Sequence, residues 1–298
     1  MSVSEPEDHR VELELRLSLA LMVLIWGANY TVAKIALTEL DPFTLAACRV
    51  ILATTFLFLI LKLQPRQDPL PDRRSMAQMA FLGLTGVGLN QVLFVHGLHR
   101  TVPSHSSLVI ATGPIWVLLL AAVFLDEHIG VRKITGVLIS FIGVIALTLS
   151  ADFSIDRSRL AGDLLTLCGV LCFSIYTITS KETIVRYGIL RTTAYCHLFG
   201  TLMLLPAVFF LRSPNPGIVT YRSILAVTYM GLFASATAYL IFYRGLRDIG
   251  AAKIAALSYF QPVVAILISI ALGQEPLTAK IIYGGALILT GVFVVERG

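Results

Sequence analysis

Residues 83–98 read GLTGVGLNQVLFVHGL, and residues 231–246 read GLFASATAYLIFYRGL. The second stretch lies 148 positions after the first. Gly83-Leu84, Phe94 and Gly97-Leu98 fall on Gly231-Leu232, Phe242 and Gly245-Leu246. The register holds outward: Pro114 meets Pro262, Glu127 meets Glu275, Gly136 meets Gly284, and Gly143-Val144 meets Gly291-Val292. Towards the N-terminus it slips to 147, pairing Trp26 with Phe173 and Lys34 with Lys181. Shared Leu and Val would follow from an apolar composition alone. Shared Gly, Pro and Glu in one register mark an internal repeat.

The composition says where the repeat resides. Of 298 residues, 56% are hydrophobic and 14% charged, against about a quarter charged in a soluble protein. So few polar side chains cannot coat a globule in water. The 22 glycines and 12 prolines show no three-residue period, and four cysteines are too few for a disulfide scaffold. A membrane-spanning helix needs about 20 mostly apolar residues. Ten apolar runs satisfy this, at roughly 17–37, 43–63, 76–97, 104–125, 131–150, 162–183, 191–211, 222–243, 251–272 and 279–295. The breaks between them are plain, as at Asp41-Pro42, Gln64-Pro65-Arg66 and Ser213-Pro214-Asn215-Pro216-Gly217. The expectation is an all-α polytopic membrane protein with ten transmembrane helices. Residues 1–16 form a tail, 17–150 the first repeat and 151–298 the second. The tail mixes acids and bases and lacks the features of a signal peptide, so the first span is expected to stay in the membrane.

Five spans per repeat is an odd number. The second copy therefore enters the bilayer upside down, giving two inverted-topology five-helix repeats. Secondary transporters use this arrangement, with the binding site near the midplane between the repeats. With the N-terminus inside, 15 of the 23 Lys and Arg fall in inner segments and 7 in outer ones, Arg49 lying within a span. This bias puts both termini in the cytoplasm. The net charge of +5 is scattered singly over many loops and forms no nucleic-acid-binding patch.

Ile25-Trp26-Gly27-Ala28-Asn29-Tyr30 with Lys34 resembles the first-span signature of the drug/metabolite transporter superfamily, EamA type. So does Ala111-Thr112-Gly113-Pro114-Ile115-Trp116 followed by Phe124-Leu125-Asp126-Glu127-His128. Phe260-Gln261-Pro262-Val263 and Gly273-Gln274-Glu275-Pro276-Leu277-Thr278 resemble the second copy of that element. The resemblance runs from about residue 17 to 295. Asp126 and Gln274 depart from it, both in loops. It implies a ten-span carrier, mostly an exporter of amino acids, metabolites or toxic amphiphiles. Spans 3, 4, 8 and 9 would line the cavity with spans 1 and 6 close by, and spans 5 and 10 would be peripheral or support a dimer.

All 18 Asp and Glu lie in the tail, in loops or near span ends, with Asp163 and Glu182 closest to the interior. The intramembrane carboxylate of many ion-coupled carriers is missing. The embedded charged or titratable groups are Arg49 in span 2 and His197 at the matching place in span 7. Lys34 and Lys181 sit within a turn of opposite faces, where a lysine usually snorkels. Polar groups near mid-depth are Asn29, Asn90, Gln91, Thr112, Tyr176, Tyr239, Ser258, Tyr259 and Gln261. Each either bonds between helices or faces a wet cavity, since an unpaired buried amide costs about 1–3 kcal/mol. The candidate substrate-binding set is Asn29, Arg49, Asn90, Gln91, Thr112, Tyr176, His197, Tyr239, Tyr259 and Gln261. Basic groups without an acid favour anions or zwitterions, and tyrosines suit amphiphiles. Pro114 and Pro262 are candidate hinges, each removing a backbone N–H.

Glu127 and Glu275 stand before helix N-termini and read as structural. His96, His99 and His105 gather near one loop at spacings that match no zinc pattern, so no metal and no cofactor is expected. Cys48, Cys168, Cys172 and Cys196 read as unpaired packing residues. No H-E-x-x-H, G-x-S-x-G or P-loop occurs. The reading is a non-enzymatic secondary transporter in a bacterial inner membrane, monomeric or homodimeric. It would export small amphiphilic or zwitterionic metabolites by alternating access. A channel or facilitative pore is the alternative, and an intramembrane enzyme the less favoured one.

Overall fold

The computed structural model describes residues 5–64, 71–125, 130–148, 157–211, 219–249, 254, 257 and 260–297, and every regular segment among them is helical. The α-helices are α1 (Glu5–Ala36), α2 (Pro42–Leu63), α3 (Arg73–Leu82), α4 (Asn90–Arg100), α5 (Pro103–Ile110), α6 (Gly113–Leu125) and α7 (Val131–Thr148). They continue as α8 (Arg157–Thr179), α9 (Lys181–Tyr187), α10 (Ile189–Leu211), α11 (Tyr221–Tyr229), α12 (Ala238–Asp248), α13 (Phe260–Ala271) and α14 (Ala279–Glu296). Two π-helical segments, Gly83–Leu89 and Met230–Thr237, join α3 to α4 and α11 to α12.

Among the described residues, six helical stretches are long and apolar enough to cross a membrane: Glu12–Ala36, Pro42–Leu63, Arg73–Arg100, Pro103–Leu120, Arg157–Thr179 and Tyr221–Asp248. Ile134–Gly143, Phe260–Ala271 and Ala279–Val294 are apolar but shorter. Many large apolar side chains face outward. On α1, Leu17, Leu21 and Leu24 are exposed at helical spacing, as are Leu138 and Ile142 on α7. Arg49, Thr31, Ser104, Gln91 and Gln261 are buried instead. Lipid, not water, suits such a surface.

The breaks follow local chemistry. Asp41 Oδ1 accepts from Thr44 N at 3.0 Å, and Pro42 sits in the first turn, so α2 starts there. Asp72 Oδ1 does the same for α3 through Ser75 N at 2.8 Å. Gly188, at φ 77°, separates α9 from α10 with a backbone that residues bearing side chains rarely adopt. The apolar run 104–125 is divided: α5 ends at Ile110, Ala111 and Thr112 turn, and α6 restarts with Pro114 in its first turn.

Packing between helices reproduces the repeat register. Gly143 of α7 rests against Gly284 and Ile288 of α14, while Gly291 of α14 rests against Gly136 and Ser140 of α7. Exchanging each residue with its partner 148 positions away turns the first contact into the second. The numbers rise on one helix as they fall on the other, so α7 and α14 run antiparallel. Ser140 Oγ donates to Ile288 O at 3.1 Å across the same seam. The exchange also relates Gly83, packed on Gly200, to Gly231, packed on Leu52. In lipid, such small-residue seams gain dispersion contacts where no hydrophobic force acts between helices.

The π-helical segments obey the register too. Their widened ladder leaves carbonyls available for side chains. Gly86 O accepts from Tyr239 OH at 3.0 Å, and Ala234 O, 148 residues on, accepts from Trp26 Nε1 at 2.9 Å. Gly86 has no room for a Cβ, because the Tyr176 ring occupies that space.

Candidate functional site

Where these elements converge, a cavity of about 120 Å³ opens. Its floor and walls come from α1 (Trp26, Asn29, Tyr30), α2 (Arg49), α4 (Asn90, Gln91, Phe94) and the start of α6 (Gly113, Pro114). Further walls come from α8 (Phe173, Ser174, Thr177), α12 (Tyr239, Phe242) and Gln261 of α13.

The aromatic rings interlock. Trp26 lies 6.2 Å from Phe173, 5.9 Å from Tyr239 and 5.6 Å from Phe242, the first two edge-on. Phe173 and Phe242 are 5.3 Å apart. This box suits the apolar body of an amphiphile, because ring faces carry partial negative charge and edges partial positive charge.

The polar groups are only partly satisfied. Gln91 Nε2 donates to Tyr239 OH at 3.2 Å, Tyr30 OH donates to Gln261 Oε1 at 3.3 Å, and Asn90 Nδ2 donates to Gly169 O at 2.9 Å. Arg49 Nε donates to Ser235 Oγ at 3.0 Å, and its guanidinium lies 6.0 Å from the Phe94 ring centre. Asn29 Oδ1, Gln91 Oε1 and Arg49 Nη1 are buried and without partners. Arg49 is the one charged residue among the described residues lining the cavity.

Of the residues singled out in the sequence, Asn29, Arg49, Asn90, Gln91, Tyr239, Gln261 and Pro114 come together here. Thr112 does not: its hydroxyl donates to Val109 O at 2.7 Å and receives Trp116 Nε1 at 3.2 Å. Tyr176 lies one layer behind, packed on Tyr243 at 5.5 Å and Phe173 at 5.6 Å. His197 stands behind Tyr239, ring centres 5.0 Å apart. Its Nδ1 faces Thr193 O at 2.9 Å, and since a carbonyl only accepts, Nδ1 carries the proton. Pro262 is buried beside Gln261 without lining the cavity. Tyr259, Ser258, Asp126 and Glu127 lie outside the described residues.

Sequence reasoning missed Trp26, Tyr30, Phe94, Phe173, Ser174, Thr177 and Phe242. The signal existed, since Trp26 with Phe173 and Phe94 with Phe242 are matched pairs of the repeat.

A polar junction closes one end of the bundle. Lys34 does not snorkel: its Nζ donates to Leu98 O at 2.9 Å and Thr101 O at 2.6 Å, where a cation complements the C-terminal end of α4. Thr101 Oγ1 donates to Asp163 Oδ1 at 3.1 Å, and His105 Nδ1 lies 3.4 Å from Asp163 Oδ2. Asp163 is buried, deeper than its place near a span end suggested. Glu275 accepts from Ser104 N at 3.0 Å, Ser104 Oγ at 2.6 Å and Ser269 Oγ at 2.6 Å, so it caps α5. Cys48 and Cys168 face outward, unlike the packed Cys196.

A model described as "EamA-like transporter family" matches residues 16–149 and again 160–297. An "Uncharacterized transporter" of Archaeoglobus fulgidus is 29% identical over 280 residues, covering 93% of this chain and 96% of its own. The "Uncharacterized transporter YoaV" of Bacillus subtilis is 24% identical over 282 residues, with 95% and 96% covered. A "Probable terminal-alkyne amino-acid exporter" of Streptantibioticus cattleyicolor is 25% identical over 283 residues, with 94% and 92% covered. A solved structure titled "Crystal structure of protein" has the same fold at TM-score 0.68 and 18% identity, covering 95% of this chain and 98% of that one.

Proposed function

Since the chain belongs to the EamA-like transporter family and is an integral, multi-pass membrane transporter, we propose that it exports small amphiphilic metabolites, amino acids or related zwitterions, by alternating access. The observation that carries this reading is the cavity itself, an aromatic box beside a guanidinium with an unpaired N–H. The exporter named for terminal-alkyne amino acids supports the substrate class. That relatives are named transporters supports a non-enzymatic role.

The membrane arrangement proposed is ten spans in two inverted five-helix repeats, with tail 1–16 and repeats 17–150 and 151–298. Both termini face the cytoplasm across a bacterial inner membrane. Antiparallel packing of the repeat-equivalent helices α7 and α14 supports the inversion, because the exchange of equivalents then requires a local two-fold axis perpendicular to the helices. The substrate-binding set is Asn29, Arg49, Asn90, Gln91, Tyr239 and Gln261, with Thr112, Tyr176 and His197 in support. Tyr259 joins on the strength of the sequence. Pro114, beside the α5–α6 break, and Pro262 act as hinges.

The test is uptake into reconstituted vesicles of a panel of amino acids and organic acids, repeated with Gln261→Ala. That variant frees Tyr30 OH and is expected to slow transport while the protein still inserts and folds. Unchanged transport in Gln261→Ala would remove it from the site, and a panel in which nothing moves would remove the substrate class.

A further inference from the structure

Arg49 is 2% exposed, and its charge has no carboxylate partner among the described residues lining the cavity. Ser235 Oγ satisfies Nε; Nη1 is left without a partner. Guanidinium groups stay protonated in proteins, and a buried charge without a counter-ion is costly. Two unpaired acceptors, Asn29 Oδ1 and Gln91 Oε1, line the same cavity. The unmet needs are therefore one anion for Arg49 and one donor for the two amide oxygens. The aromatic box lies beside both.

We propose that the substrate's carboxylate is the counter-ion of Arg49, so that the carrier reorients readily only when loaded and exchanges one amphiphilic carboxylate for another faster than it exports net. This rests on the transporter reading of the same cavity and assigns its two poles: carboxylate to Arg49, amine to Asn29 and Gln91. The reason is electrostatic. Closing the cavity strips water from Arg49. With a carboxylate bound, the guanidinium enters the occluded state paired, and a substrate's ammonium is held there by the amide oxygens of Asn29 and Gln91. Empty, the guanidinium keeps an uncompensated charge in surroundings of low dielectric constant. The return of the empty carrier is then the slow step, and substrate on the far side bypasses it.

The experiment uses the full chain in vesicles and three labelled probes. Phenylalanine carries both poles, 3-phenylpropanoate only the carboxylate, and phenylalaninamide only the amine. The wild-type protein should move the first two and reject the amide. Labelled phenylalanine should leave about tenfold faster when unlabelled phenylalanine is present outside. Arg49→Gln should admit the amide and bring exchange and net efflux to within about twofold of each other. Arg49→Lys, which keeps the charge, should retain the preference for carboxylates. Thermal unfolding of each variant in detergent reports folding. If Arg49→Gln does not fold, the wild-type probe series and Arg49→Lys decide. Transport of the amide as fast as phenylalanine, equal exchange and net rates in the wild type, or a folded Arg49→Gln that behaves as wild type would each overturn the assignment while leaving transport of amphiphiles standing. Movement of none of the three probes would overturn both.

Discussion

Replacing Glu275 with alanine should loosen the joint between α5, α13 and the turn before α14. The carboxylate is 7% exposed and accepts three bonds, from Ser104 N, Ser104 Oγ and Ser269 Oγ. Hydrogen bonds to charged groups contribute about 1.5–3 kcal/mol each. Three bonds on one acceptor do not add, and bonds between helices in lipid average only about 0.6 kcal/mol because the separated helices find other partners. A net loss of about 3 kcal/mol lies between these limits. At about 2–4 °C per kcal/mol, the melting temperature should fall by about 6–12 °C. Glu275→Gln keeps an acceptor for Ser104 N and should lose less than half of that. The assay is thermal unfolding of purified protein in detergent, followed by tryptophan fluorescence and by recovery of soluble protein after heating. If Glu275→Ala melted within about 1 °C of the wild type, which is less than even one bond of about 0.6 kcal/mol would shift it, the capping role would be refuted.

Gly291→Val should force α14 away from Gly136 and Ser140, an overpacking cost of about 1–3 kcal/mol, seen as a lower melting temperature that Gly143→Ala, on the related contact, matches in direction. Glu39 accepts from Thr220 N at 2.8 Å and Thr220 Oγ1 at 2.7 Å, and these bonds, the backbone one foremost, hold its carboxyl below the usual range. A depressed carboxylate stabilises the fold above its unfolded pKa and loses that effect as pH falls through the folded one, so stability should drop on acidification below about pH 4.5, and Glu39→Gln should flatten that dependence. Single cysteines at positions 2 and 298, in a background lacking the four native cysteines, should resist an impermeant reagent added to intact cells. Labelling of either position would reverse the proposed orientation.

The repeat was the most legible feature because it is written in residue types with few substitutes. Gly143 and Gly291 match in sequence because each lies where a helix backbone passes with no space for a side chain. Polar cavity-lining residues such as Gln91 and Arg49 were legible as candidates because an amide or a guanidinium inside an apolar run needs a reason to be there. The aromatic box was not, since a Trp or Phe inside a span looks the same whether it faces lipid, a neighbour or a cavity. The π-helical segments were hidden too, because Gly- and Ala-rich stretches do not distinguish a five-residue ladder from a four-residue one. Asp163 stood near a span end in the sequence. Its burial is made by Thr101 and His105 arriving from other helices, and helix order alone does not reveal which ends are covered.

Gln91 and Tyr239 stand 148 residues apart and bond to each other. In an assembly of two identical chains, a residue meeting its own equivalent across a two-fold axis must meet a copy of itself: glutamine against glutamine, or tyrosine against tyrosine. Carrying both halves on one chain lifts that restriction. The seam can then hold a donor on one side and a phenol on the other, and the chamber around it acquires a head and a tail. A guest molecule that is itself lopsided fits such a chamber in one direction only.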